Sequence, residues 1–415
     1  MTDQERILAT LRGEPTDRLP WAPRLDLWFK ARQRAGTLPS RYRHATLRDL
    51  VDDLGWGLHA VVPDFRDVVH PDDHLDRGLG LFNLRTMPYR TVLENVERTA
   101  RTEGARTLVE YRTPLGSVQT VVVYDAAMQE AGITISHVER PPFQSERDYA
   151  PLGYLFENAR AEPQLEGFEA FADRVGPRGL PVAWVSAAAS PMHFILRELM
   201  PFDVFFYEMV DHPEALAHLA QQIEGYWQRV LEAAFRCPAR LFLVGANYDA
   251  TVTCPPFFRD HVLPWLRRAA RELHARGRYL LTHTDGENAG LLQHYLDAEV
   301  DVADSVCPAP MTKLTLRQVR DAFAGRITIL GGIPSVALLR DAMPDRDFGR
   351  FLDRFFEDLG RGDHLVLGVS DTTPPGAEFD RLVEIGRRAE AFGPIRPPRR
   401  RRPRDSGAGG GASRA

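Results

Sequence analysis

Tyr279–Ser305 reads YLLTHTDGENAGLLQHYLDAEVDVADS. An apolar run, Tyr279–Thr282, is too short for a helix and ends at His283, Thr284, Asp285 and Gly286. A helix is expected over Ala289–Ala298 and a second apolar run over Asp301–Ser305. The same unit recurs on both sides. Upstream lie the strand runs Leu180–Val185 and Leu241–Val244, with helices at His212–Phe235 and Pro256–Arg276. In the first of these helices Leu216, Leu219, Ile223, Trp227 and Leu231 fall at helical spacing. Downstream come the helix Leu316–Phe323, the strand Ile327–Leu330, the helix Asp347–Leu359, the strand His364–Leu367 and the helix Glu378–Ala391. Each strand run ends in Gly, Ser, Asp, His or Asn. Short apolar strands alternating with helices predict a parallel α/β sheet. Roughly eight such units fit a chain of this length, so the expected fold is a (β/α)8 TIM barrel. An open doubly wound sheet is the alternative, because periodicity does not report closure.

Toward the N-terminus the texture differs. Thr2 and Glu5 have capping-box spacing, and Ile7, Leu8 and Leu11 give one apolar face to a helix over Asp3–Arg12, stopped by Gly13 and Pro15. A second helix is expected over Leu47–Leu54, with a first strand at Trp21–Leu25. Arg106–Tyr111 and Val118–Tyr124 flank Thr113-Pro114-Leu115-Gly116, which predicts a small antiparallel β-hairpin inserted in the N-terminal third. Residues 1–395 are thus expected to be one barrel. Residues 396–415, rich in Arg, Pro and Gly, have too few apolar side chains to bury a core and are expected to be a disordered, solvated tail.

The chain has 415 residues, 44% hydrophobic and 26% charged, as a globular protein with a real core requires. A net charge of −5 gives no reason to expect nucleic acid as a partner. Three cysteines, Cys237, Cys254 and Cys307, form no CxxC pair and no disulfide framework, which fits a reducing cytoplasm. No signal core and no membrane-length apolar run is present. A cytoplasmic enzyme acting on a small molecule is expected, without a membrane partner.

In a barrel the loops after the strands build the active site. His283 and Asp285, two residues apart at a strand end, point to the same side. Together they make a metal half-site or an acid–base pair; the alternative is an aspartate that caps the Ala289 helix beside a locally packed histidine. Asp371 follows the last strand as a ligand group, or as a turn residue before Pro374-Pro375. Asn247 and Asp249 share one side after Leu241–Val244, as substrate contacts or as an Asx turn. Gly331-Gly332 exposes backbone N–H groups to an anion or a ring, or serves backbone geometry alone. Cys307 looks into the same mouth, as a ligand or as a buried inert thiol.

The order of these segments resembles the uroporphyrinogen decarboxylase superfamily. Arg6–Pro20, RILATLRGEPTDRLP, is similar to its N-terminal signature of a helix, R-G-E or R-G-R, then D-R-x-P. HTDGENAGLLQHYLDAEVDVADS resembles its H-[ST]-D-G strand end, ITILGGI its G-G-I-D element, and LVLGVSDTTPP its final strand and turn. The resemblance spans roughly residues 3–392 and implies a (β/α)8 barrel with one of two chemistries. The first is decarboxylation of a tetrapyrrole, with substrate carboxylates held by an arginine-rich N-terminal segment. The second is methyl transfer between a corrinoid on a partner protein and a thiol or tetrahydrofolate.

The decarboxylase segment R-Q-A-G-R-Y-x-P-E-Y-R is only echoed by Arg32-Gln33-Arg34-Ala35-Gly36-Thr37-Leu38-Pro39-Ser40-Arg41-Tyr42-Arg43, so Arg32 and Arg41 are the candidates to hold an anionic substrate. In the thiol-specific methyltransferases H-x-C and a later Cys hold zinc. Here His283 matches the histidine, but Asp285 and Asp371 stand where the two cysteines belong. Carboxylates in place of thiolates suit a harder metal, or acid–base work on a pterin without metal. The resemblance therefore implies methyl transfer between a corrinoid and a non-thiol acceptor such as tetrahydrofolate. Decarboxylation of uroporphyrinogen or a related polycarboxylate is the alternative. A binder that has lost its chemistry is a third reading. The resemblance allows a homodimer.

Overall fold

A computed structural model describes residues 1–397. The tail expected from residue 396 onward lies almost entirely outside the described residues.

The N-terminal helix Asp3–Arg12 starts at the Thr2–Glu5 capping box and ends at Gly13, whose φ of 65° suits glycine. Between residues 89 and 163 six strands form: Tyr89–Leu93 (β1), Glu97–Glu103 (β2), Arg106–Thr113 (β3), Gly116–Val123 (β4), His137–Arg140 (β5) and Ala159–Pro163 (β6). Strands β3 and β4 are the expected hairpin, with Thr113 paired to Gly116 across the turn. The insertion is larger than a hairpin, however. Strands β2-β3-β4-β5 make a four-stranded antiparallel sheet, and β1 pairs separately with β6. Strand β2, ERTARTE, is exposed along almost its whole length and has no apolar alternation to announce it.

The second half holds β7 (Val182–Ser186), β8 (Leu241–Ala246), β9 (Tyr279–His283), β10 (Val302–Val306), β11 (Thr328–Ile333) and β12 (Leu365–Val369). They form one six-stranded sheet in sequential order, each strand parallel to its neighbour. All residues of β7, β8, β10, β11 and β12 are buried, as expected when both faces are covered. The mixed α/β architecture is as the sequence predicts, but six continuous strands form in place of eight. The expected strand Trp21–Leu25 shrinks to a single parallel bridge, Trp21 to Leu367. Pro20 and Pro23 lack the N–H groups a longer ladder needs, and a helix already begins at Asp26. Two short segments nonetheless carry hydrogen bonds at the sheet edges. Leu367 N–H donates to Pro20 O and Gly57 N–H to Trp21 O, both at 2.9 Å, while Val182 N–H donates to Ala60 O at 3.0 Å.

The helix expected over Pro256–Arg276 is broken into Pro255–Phe257, a π-helical turn Phe258–Val262 and Leu263–His274. Pro264 cannot donate to residue 260, and the wider turn absorbs the missing bond. The helix expected from Ala289 begins only at Leu292. Among the described residues, no helix is long and apolar enough to cross a membrane.

Candidate active site at the strand ends

His283 ends β9, and its ring is only 8% exposed. The neighbouring strand β10 places Asp304 in register with it. His283 Nδ1–H donates to Asp304 Oδ2 at 2.6 Å, and Asp304 is fully buried. A carboxylate only accepts, so this bond fixes the ring's proton on Nδ1 and turns Nε2 toward the mouth. There Nε2 meets Asp371 Oδ1 at 3.5 Å and Asp285 Oδ1 at 3.7 Å. One ligand atom from each of His283, Asp285 and Asp371 lies within 4.8 Å of the others.

Each carboxylate is held differently. Asp371, at φ 55°, follows β12, and its Oδ1 accepts from Arg24 Nη1 at 2.8 Å. Asp285 Oδ2 accepts from Asn247 Nδ2 at 3.1 Å, while Oδ1 is buried without a hydrogen bond. Asp285 caps no helix, since the next one starts at Leu292 without a side-chain cap. Asp304 Oδ1 likewise lacks a hydrogen bond, and His59 Nε2 lies 3.6 Å from it.

The electrostatics follow from these contacts. Burial opposes the His283 imidazolium, but the Asp304 hydrogen bond and the contacts with Asp371 and Asp285 outweigh it and lift the group to about 10. Burial would raise Asp304, yet His283 and His59 hold it well below the ordinary carboxylate range. Asp371 is lowered because His283 and Arg24 overcome its burial. Asp285 moves the other way, raised by burial and by the charges of Asp371 and Asp304. At neutral pH the metal-free cluster therefore holds an imidazolium between two firm carboxylates, with a third carboxyl that takes a proton more readily than usual.

The other expected residues sort clearly. Asn247, at φ 58°, touches Asp285. Asp249 accepts from Thr251 N–H at 2.8 Å and Glu287 N–H at 3.0 Å, which makes it a loop-building aspartate. Gly331 and Gly332 have φ of 124° and 101°, and a Cβ on them would press within 3.1 Å of Val306 N and of the Leu316 side chain, so both serve backbone geometry. Cys307 donates to Ser305 O at 3.3 Å, and burial pushes its thiol up to about 12. A thiol so reluctant to ionise is a poor soft ligand.

Arg32 and Arg41 do not reach this cluster. Arg32 donates to the Pro375 and Ala377 carbonyls, both at 3.0 Å, and Arg41 pairs with Asp53 at 3.3 Å over the Tyr42 ring. The guanidiniums at the mouth are instead Arg24 and Arg197, whose Nη1 donates to Ala246 O at the end of β8 at 3.0 Å. Asp304, Arg24, Arg197 and His59 were not singled out from the sequence. The sequence offers one local signal for any of them, the charge of Asp304 inside the apolar run Val302–Val306, and it does not by itself distinguish a site residue from strand body.

The donor set of one imidazole nitrogen and two carboxylates suits a hard or borderline divalent cation. Asp304 behind His283 is the orienting partner such a ligand needs, and Asp285 Oδ1 is a buried acceptor awaiting a partner. Zinc–thiolate chemistry does not fit these residues.

The sequence matches no family model and no curated protein. Among solved structures, a methyltransferase from Methanosarcina mazei is similar at 12% identity, with a TM-score of 0.51 over 94% of this chain and 99% of that chain. The likeness is one of fold.

Proposed function

We propose that this protein is a methyltransferase that moves a methyl group between a corrinoid, carried on a partner protein, and a non-thiol acceptor such as tetrahydrofolate. We further propose that β7–β12, with segments 20–22 and 57–60, close one (β/α)8 barrel of the uroporphyrinogen decarboxylase superfamily. The hydrogen bonds from β12 to Pro20 and from β7 to Ala60 support closure. The observation that carries the function is the convergence of His283, Asp285 and Asp371 beyond strand ends, with oxygen donors where a thiol-directed site would need sulfur. The fold likeness to a methyltransferase is in keeping with it.

The residues divide the work. A corrinoid bound at the mouth would supply the methyl group as an electrophile and keep the electron pair of its broken cobalt–carbon bond. When a ring nitrogen is methylated it must give up its N–H proton, and Asp285, raised by burial, is the group placed to take it. Asn247 orients that carboxyl from its other oxygen. Asp371, locked by Arg24, and His283, locked by Asp304, set the field around the acceptor. A divalent cation held by His283, Asp285 and Asp371 would add Lewis-acid activation of the acceptor.

Decarboxylation of a tetrapyrrole acid or related polycarboxylate is the second reading, supported by Arg24 and Arg197 flanking the cluster. Purified protein is expected to methylate tetrahydrofolate from methylcobalamin and to leave simple thiols unmethylated. Elemental analysis runs beside the assay. Stoichiometric zinc that disappears in Cys307→Ser would restore a thiol-directed site. Inactivity together with carbon dioxide release from a tetrapyrrole acid would establish the lyase.

A further inference from the structure

A second feature shares no lining residue with the His283 cluster. At the N-terminal ends of β11 and β12 a cavity of about 780 Å³ opens beside the helix Leu316–Phe323, lined by Arg317, Arg320, Arg326 and Arg361. It adjoins a slot of about 360 Å³ between that helix and the helix Asp345–Asp358, for Arg317, Asp358 and Leu359 line both. The slot is walled by Leu316, Phe351 and Phe355, the two rings 5.7 Å apart, and reaches Pro308 and Pro334. One groove thus joins an arginine basin to an apolar slot.

Charge in the groove is not balanced internally. Arg317 is answered by Asp321 at 3.2 Å, Arg320 by Asp363 at 3.3 Å and Arg350 on the slot by Asp347 at 3.5 Å. Arg326 and Arg361 in the basin, and Arg354 on the slot, make no ion pair among the described residues, against the one lining carboxylate left over, Asp358. Guanidinium forks match phosphoryl oxygens, and an apolar slot rewards a group that leaves water. The volumes lie in the range of small-molecule sites.

We propose that this groove is a binding site for an organic diphosphate, with the diphosphate in the arginine basin and its apolar group in the slot. The site is independent of the reaction at His283. Calorimetric titration of the full chain with inorganic pyrophosphate, geranyl diphosphate and ADP tests it and identifies the apolar group. At least one ester is expected to bind about tenfold tighter than pyrophosphate. A lead for geranyl diphosphate means an aliphatic group, and a lead for ADP a planar base. Arg326→Ala with Arg361→Ala is expected to weaken that ester at least about tenfold, since each lost charged hydrogen bond carries roughly that factor. Both arginines are exposed, so the double variant keeps its fold. Phe351→Ser should erase the ester's advantage over pyrophosphate. His283→Ala should leave the affinity unchanged. The proposal fails if no probe binds saturably, if pyrophosphate binds as tightly as both esters, or if binding survives the double arginine change and is lost with His283→Ala.

Discussion

Two histidine–aspartate pairs flank β9 and β10, one at each end of the strands. At the base His274 Nε2 meets Asp301 Oδ2 at 2.8 Å, with side chains 36% and 24% exposed. Asp301 also accepts from Leu280 N–H at 2.7 Å, so it helps seat the start of β9. At the mouth His283 Nδ1 meets Asp304 Oδ2 at 2.6 Å, with side chains 8% and 0% exposed. The chemistry of the pair is the same, yet its setting is opposite. Water screens the base pair and adds little to its worth. The mouth pair is out of water, and the second nitrogen of its imidazole faces two further carboxylates. Positive φ occurs at both ends, at Glu299, Ala324 and His364 at the base and at Asn247, Ser305 and Asp371 at the mouth. Positive-φ Ala324 at the base closes a helix with its N–H on Arg320 O, whereas positive-φ Asn247 and Asp371 follow strands and direct polar side chains into the cluster. Burial separates the two pairs, and the buried one lies where the proposed chemistry is placed.

The sharpest way to break this comparison is to remove each aspartate. Asp304→Ala leaves a buried imidazole without its partner and is expected to cost about 3–5 kcal/mol in urea unfolding, with loss of the proposed methyl transfer. Asp301→Ala is expected to cost about 1 kcal/mol and to leave the rate alone. Equal costs would show that burial does not separate the two pairs.

Next comes Asp285. Asp285→Asn keeps size and can still contact Asn247, but it cannot take a proton. Its methyl transfer is expected to fall on the order of a hundredfold to ten-thousandfold, with melting temperature nearly unchanged. Asp285→Ala should behave alike, because Asp285 caps no helix. If only the alanine variant loses activity, Asp285 acts through its shape and hydrogen bond, and the proton belongs to another group.

How much of this was legible in the sequence depends on how local each signal is. His283 and Asp285 announce themselves by their two-residue spacing after an apolar run, and Asp371 by its place beyond the last strand. Asp304 hides inside a run that reads as strand body, because its partner is set by the register of β10 against β9. Arg24 meets Asp371 across 347 positions of chain, and nothing near Arg24 reports that contact. Arg32 and Arg41 misled for the converse reason. Their spacing echoes a motif, but backbone carbonyls and Asp53 occupy them. The six strands were readable from apolar runs. The pairing at Trp21 is readable only as a strand too long, and the segment 57–60 not at all, since such brief pairings depend on neighbours distant in sequence.

A third test sharpens the contrast through pH, using metal-free protein. The folded-state pKa of His283 is raised from 6.5 to about 10, so the folded form holds that proton more tightly. The stabilisation is complete below pH about 6.5 and is lost as pH rises through about 10. His274 is raised as well, by its hydrogen bond to Asp301, and its contribution has the same sign, although solvent screens it. Melting temperature should therefore fall between pH 6.5 and pH 10. The fall should flatten clearly in His283→Gln and only slightly in His274→Gln. The reverse order would place the tightly held proton at the base.

The smallest effect expected is at the C-terminus, and it asks whether the base carries any of the chemistry. Ile395 bridges Thr16, so the last described segment is fastened at the base end by two hydrogen bonds, Thr16 N–H to Ile395 O at 3.1 Å and Ile395 N–H to Thr16 O at 3.0 Å. A chain ended at Pro398 keeps both. What it loses is arginine, glycine, serine and alanine with one proline and one aspartate, which together offer little apolar surface to offset about 1–2 kcal/mol of backbone entropy for each residue ordered. Melting temperature and methyl transfer should therefore stay within error of the full chain. A drop of several degrees with the rate intact would show the tail docking on the base. A lost rate with an intact melting temperature would carry the reaction beyond the mouth, because only a segment that reaches His283 or its substrate changes turnover without changing the fold.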